Sequence, residues 1–179
     1  MTRVVVLGLP DASRYAHAER IAVQLGVPYL SFGDCMRAAV AGATSAGTRL
    51  KAAMDEGALA PKNLVLEIMR DRLLQLDCAH GFVLVGFPTD FDQARELDTW
   101  LLTQGFRIDQ ALLFETRRAS SSSPSAQGLQ EANFNLSDLK LEILREQLQA
   151  CVAFYKPQGK LLSVDATAST DMVLRQLSL

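Results

Sequence analysis

Apolar residues follow two rhythms along this chain. One is the short run: "RVVVLG" (3–8) is continuously β-branched before its leucine and glycine, as expected of a strand buried on both faces, and "GFVLVGFP" (81–88) reads the same way. "VPYLSF" (27–32), "DQALLFE" (109–115) and "GKLLSVDA" (159–166) predict three further strands. The other rhythm is the helical stripe. Ser13 to Leu25 aligns Ala18, Ile21, Ala22 and Leu25, with Gly26 as the stop. "GDCMRAAVAG" and "AGTRLKAAMDEG" predict alanine-rich helices that stop at Gly42 and Gly57. Pro61 opens another, given an amphipathic face by "LVLEIMRDRLLQL". "FDQARELDTWLL" predicts a helix ending near Gly105. A further helix starts between Leu129 and Ser137 and runs toward Tyr155. "STDMVLRQL" closes the chain, capped by Ser169 or Thr170. Strands separated by helices predict α/β layers around a mainly parallel sheet.

Composition narrows the function classes. A length of 179 residues suits one domain, 1–179, able to bury a core without disulfides or metals. A formal net charge of −2 gives no electrostatic case for nucleic acid as partner or for binding an anionic membrane. The apolar run Val4 to Leu7 is too short for a signal peptide or a membrane span, so no membrane insertion and a cytoplasmic location are expected. Cys35, Cys78 and Cys151 are odd in number and lack a CxxC pair, which predicts reduced thiols rather than zinc ligands or a disulfide framework. "RRASSSSPSAQG" (117–128) cannot fill a core and reads as a mobile loop, its serines either modification sites or plain linker.

Four stretches carry a resemblance. "VVVLGLP" is similar to a first strand entering a phosphate loop. "GVPYLSFGDCMRAAVAGATSAGTRLKAAMDEGALAP" resembles the pattern GxPxxSTGDMLRAA…GxLVP of a monophosphate-binding region. "DCAHGFVLVGFPTDFDQARELD" resembles DCxxGFLLDGFPRTxxQAxxLD, and "LREQLQACVAFYKPQGKLLSVDA" resembles YREQTAPLIxYYxxxGKLLxVDG. Together, over roughly residues 3–114 and 138–176, they resemble the adenylate kinase family of nucleoside-monophosphate kinases, in the short form with a reduced lid. The resemblance implies a five-stranded parallel sheet flanked by helices, of the P-loop NTPase type. It implies a core of 1–31, 61–116 and 129–179, a helical flap over 32–60 that closes on a monophosphate, and residues 117–128 in place of the lid.

The site departs from that pattern. A phosphate loop uses glycines so that successive N–H groups point at phosphate oxygens, a lysine to bridge the phosphates, and a hydroxyl for Mg²⁺. The family's GxPGxGKGT reads here as Gly8, Leu9, Pro10, Asp11, Ala12, Ser13, Arg14, Tyr15 and Ala16. A carboxylate at Asp11, about 4 Å from one phosphate charge, costs on the order of 4 kcal/mol at an effective dielectric of 20. That is nearly a thousandfold in affinity. Arg14 keeps a positive charge, but a planar fork does not replace a slim ammonium in a tight loop. Tyr15 adds bulk, and Ala16 lacks the hydroxyl. Asp11 and Arg14 are expected to satisfy each other and fill the nest from within.

Elsewhere Val85 stands in place of the metal-orienting aspartate, and Thr89 in place of an arginine that grips the monophosphate. Leu129 and Lys140 fall at the two helix-arginine positions. Arg117 and Arg118 either reach the cleft or are solvated loop charges. Asp165 remains from the VDG motif, with Ala166 for its glycine.

On the monophosphate side the resemblance keeps Gly33, Asp34, Arg37, Gly57 to Leu59, Gly86 and Gln93 as nucleotide-binding candidates. Arg37 either contacts a monophosphate or pairs with Asp34 or Glu56. Phe32 either stacks on a base or fills the empty pocket. His17 is expected to be an exposed helix histidine, His80 a turn residue, and Trp100 half-buried packing. No Ser/His/Asp or Cys/His set assembles. The expectation is a pseudoenzyme without metal, ATP or other cofactor, with Arg14 and Lys140 vestigial. It would act through a protein partner, or as a sensor of AMP or another adenine nucleotide, with an apolar or flat patch over the cleft. The alternative is a weak AMP kinase that uses ATP, Mg²⁺, Arg14, Lys140 and the loop arginines.

Overall fold

The structure, a computed structural model, describes residues 2–9, 12–58, 60–115 and 136–177. Five strands, β1 (Thr2–Leu7), β2 (Tyr29–Ser31), β3 (Gly81–Val85), β4 (Gln110–Glu115) and β5 (Leu161–Asp165), form one parallel sheet in the order β2-β3-β1-β4-β5. Among the described residues the helices are α1 (Ala12–Leu25), α2 (Phe32–Ala41), α3 (Ser45–Asp55), α4 (Lys62–Leu73), α5 (Phe91–Thr103), α6 (Leu136–Tyr155) and α7 (Thr170–Gln176). The α/β class and the five predicted strands are as read from the sequence.

Side chains alternate across the pleat, so each strand feeds two apolar layers. Val5, Leu7, Phe82, Leu84, Ala111 and Leu113 pack with Val65 and Met69 of α4, Leu97 and Leu101 of α5, and Cys151 and Tyr155 of α6. Val4, Val6, Val83, Val85, Leu112 and Phe114 pack on the other face with Ala18, Ile21 and Ala22 of α1 and Val173 of α7. A smaller cluster of Ala39, Ala46, Leu50, Leu64 and Ile68 joins α2, α3 and α4.

Local chemistry sets the boundaries. Thr44 caps α3 by accepting from the Gly47 amide at 3.0 Å, and Asp90 caps α5 by accepting from the Gln93 amide at 2.8 Å. Ser169, one of the two predicted caps, is the one that caps α7. The predicted second strand is shorter than expected: Phe32 opens α2 instead of ending β2. Central β1 pairs with β3 and β4, and its ladder ends at Val6↔Val85 and Leu7↔Leu113. The chain therefore leaves the middle of the sheet at Gly8, at the carboxyl ends of three strands, where open α/β sheets place their ligands.

Candidate functional site

Gly8 has φ +147°, and a Cβ there would sit 2.9 Å from the Phe114 carbonyl oxygen and 3.4 Å from Arg14 Cδ. Only glycine lets the loop pass this close to β4 and to the arginine at once. Arg14, on the first turns of α1, does not project outward. Its Nη1 donates to the Gly8 carbonyl oxygen, its Nη2 donates to the Tyr15 hydroxyl at 3.1 Å, and its guanidinium carbon lies 4.9 Å from the Tyr15 ring centre. The residue is only 6% exposed. Its Nε has no hydrogen-bond partner, and among the described residues no carboxylate pairs with it.

The expected Asp11–Arg14 pairing involves a residue outside those described, as do Pro10, Leu59, Arg117, Arg118, Leu129 and the 117–128 segment. The described partners of Arg14 are a carbonyl and a phenol from its own loop. Ser13 is half-buried in the same first turn, and Ala16 is exposed.

Beside the loop lies a cavity of about 260 Å³. Arg14, Tyr15, Phe32, Thr89, Leu148 and Cys151 are among the residues around it, with Gly8, Gly33 and Gly86 supplying backbone. Phe32 stacks on buried Phe87 at 6.0 Å between ring centres, so the ring that replaces a hydroxyl fills space beside the sheet. Gly86 has φ +83°, and a Cβ there would meet Phe32 Cβ at 3.3 Å. Cys151 is buried, its thiol pushed up to about 12 by desolvation and the nearby Asp90 charge. Cys35 and Cys78 are also buried and free.

The polar residues kept from the family pattern are engaged locally. Arg37 donates to Asp34 in an i, i+3 ion pair whose side chains are 72% and 64% exposed. That hydrogen bond holds the Asp34 carboxyl below its ordinary range. The surface-pairing alternative for Arg37 is therefore the one found. Gln93 Oε1 accepts from both the Thr89 amide (2.8 Å) and the Thr89 hydroxyl (2.9 Å), so the residue that replaces the arginine occupies the amide oxygen. Asp165 accepts from the Thr167 amide and hydroxyl at 2.9 and 2.6 Å. Gly57 is an exposed turn residue after α3, and Lys140 is exposed on α6, outside the lining of the cavity.

Val85, at the metal-aspartate position, is fully buried in the apolar layer under α1. Among the described residues no group of three or more His, Cys, Asp or Glu side chains could hold a metal ion.

Two residues behave differently from the sequence reading. His17 is half-buried rather than exposed. It stacks on Phe114 at 5.2 Å, and its Nδ1 shares a hydrogen bond of 2.9 Å with Thr170 Oγ1. A contact across 153 positions leaves no local signal. The Thr89–Gln93 bonds were also unread, although their i, i+4 spacing at the start of a helix was available. Trp100 is half-buried beside Arg70, as expected. No described helix is long and apolar enough to cross a membrane.

Comparison with known proteins comes out in one direction. The family model for adenylate kinase matches residues 6–160. A protein named adenylate kinase from Beijerinckia indica is 35% identical, covering 96% of this chain and 94% of the relative. Another of that name, from Thermodesulfovibrio yellowstonii, is 34% identical over 98% and 96%. One from Nitrobacter winogradskyi is 33% identical over 98% and 90%.

Proposed function

We propose that this chain, which belongs to the adenylate kinase family, is a non-catalytic member that acts by binding in its cleft. The observation that carries the reading is Arg14. It is folded back on the Gly8 carbonyl and the Tyr15 hydroxyl, within the stretch that matches the family's phosphate loop.

Phosphoryl transfer is almost entirely positioning and neutralisation of charge, and one well-placed arginine is worth about 10³ to 10⁵ in rate. Here the loop cation bonds to its own loop, Arg37 pairs with Asp34 at the surface, and Lys140 stands outside the cavity. The family implies Mg²⁺, but the residues present do not fit it. Ala16 has no hydroxyl, and Val85 offers a buried isopropyl group where a carboxylate would be required.

The test is ADP formation from ATP, Mg²⁺ and AMP in a coupled assay at high protein concentration. We expect no turnover. Turnover that disappears in Arg14→Ala would establish the rival reading, an AMP kinase with Arg14 in a new role. What favours that rival is that relatives about one-third identical along almost the whole chain carry the name adenylate kinase.

Within the binding reading, an adenine nucleotide is the poorer occupant. Gln93 has only its Nε2 hydrogens to offer a base, because Thr89 holds the oxygen. Calorimetry should give millimolar or weaker affinity for AMP and ATP. A protein partner is also consistent with the surface. Leu144, at the rim of the cavity, continues along α6 into exposed Leu139 and Ile143. Stable co-purification that is lost on Ile143→Glu would support it, and an unaffected monomer would not.

A further inference from the structure

We propose that the cleft beside β1 takes a small organic monoanion, an apolar body bearing one carboxylate, with the carboxylate held by Arg14. The inference rests on the non-catalytic reading of this cleft.

Arg14 is the first reason. Arg14, a residue only 6% exposed whose guanidinium has a carbonyl and a phenol as partners, lacks a counter-charge among the described residues. Buried charges are normally paired. Its Nε–H is buried and unused. Of five guanidinium donors, two are assigned, so one hydrogen on each Nη remains for the two oxygens of a carboxylate.

The walls are the second reason. Val6, Leu7, Phe32, Leu148 and Cys151 line the cavity, and Cys151 is neutral at ordinary pH because desolvation raises its thiol to about 12. Such a lining suits an apolar body and strips water from a charged one. Charge count then separates carboxylates from phosphates. Arg14 is the one ionic side chain among the described lining residues. A phosphate monoester carries about −1.5 to −2 at neutral pH, more than one guanidinium can neutralise, and a triphosphate is worse. The volume, about 260 Å³, lies just below the roughly 300 to 1,000 Å³ of drug-sized sites, which favours a ligand of one ring or a short chain.

Titration calorimetry on the full chain tests this with phenylacetate, its neutral isostere phenylacetamide, inorganic phosphate and ATP. Phenylacetate should bind about tenfold or more tightly than phenylacetamide, as one charge-assisted bidentate pair allows. Arg14→Gln should abolish that preference while leaving weak, equal binding of both. Arg14→Lys should keep the preference in reduced form, and decides the matter should the Gln variant not fold. Leu148→Trp should exclude both probes. Equal affinities in the unaltered protein, no binding of phenylacetate, or phosphate binding more tightly than phenylacetate would each overturn the proposal. The ADP-forming assay on the same preparation separates the two claims. Turnover refutes the non-catalytic reading, whereas no turnover together with no phenylacetate binding refutes only the ligand class.

Discussion

Placing an aspartate at position 85 should destabilise the protein. Val85 is fully buried at the end of β3, opposite Val6 in β1 and Ser31 in β2. Losing its two methyl groups from the apolar layer costs roughly 1.6 kcal/mol at about 0.8 kcal/mol each. Placing a polar group there without a partner adds about 1 to 3 kcal/mol. Both costs are shared by Val85→Asn, which is therefore the reference. Val85→Asp adds the cost of ionisation. Burial raises a carboxyl pKa, and a rise of two to three units corresponds to about 3 to 4 kcal/mol.

The sign follows from linkage. A carboxyl whose folded pKa is raised binds its proton more tightly in the native state. Stability is then complete below the unfolded value, near 4, and is lost as pH rises toward the folded one. The Asp and Asn variants should match at pH 4 and diverge by about 1.4 kcal/mol per pH unit above it, levelling off once the raised pKa is passed. Urea unfolding followed by circular dichroism reads this directly. With a slope of about 2 kcal/mol per molar, the midpoints should differ by roughly 1.5 to 2 M at pH 7.5. An Asp variant as stable as the Asn variant at pH 7.5, or one rescued by Mg²⁺, would show that a cation reaches the end of β3.

Three more outcomes are open to measurement. Tyr155 is fully buried with no partner for its hydroxyl, so Tyr155→Phe should be neutral or stabilising by up to about 1 kcal/mol, a rise in Tm of roughly 2 to 4 °C by calorimetry; a loss of stability would reveal a missed partner. Desolvation raises Cys78 to about 11 and Cys151 to about 12. Native stability should therefore be complete below the ordinary value of 9.0 and fall as pH climbs toward those values, by at most about 1.4 kcal/mol per unit per thiol, with Cys151→Ala removing part of the slope in urea melts. At Gly47 a Cβ would lie 2.0 Å from the Ala39 carbonyl oxygen. Gly47→Ala should thus push α3 off α2 and cost about 1 to 3 kcal/mol, with faster amide exchange in those two helices than in the sheet.

The sequence exposed the scaffold better than the site because the two are written differently. "RVVVLG" and "GFVLVGFP" can only be strands covered on both sides, and that pattern survives any change at their ends. β3 ends three residues before the apolar run does, because Gly86, at φ +83°, turns the chain although Phe87 is as apolar as its predecessors. The site's departures from the family pattern were legible as residue types: an arginine for a lysine, valine and alanine for a carboxylate and a hydroxyl. Where Arg14 goes was not legible. A long side chain has many reachable partners, and the Gly8 carbonyl becomes one only when the loop is folded. The Arg37–Asp34 pair was visible as helical spacing, whereas His17 finds Thr170 through the packing of α1 on α7.

Because β1 holds the middle of the sheet and its ladder is complete by Leu7, the bend that follows Gly8 takes no part in the pairing of β1. Substitution within that bend therefore leaves the register of the central ladders in place. Strand pairing and the contacts of Arg14 thus rest on separate residues here.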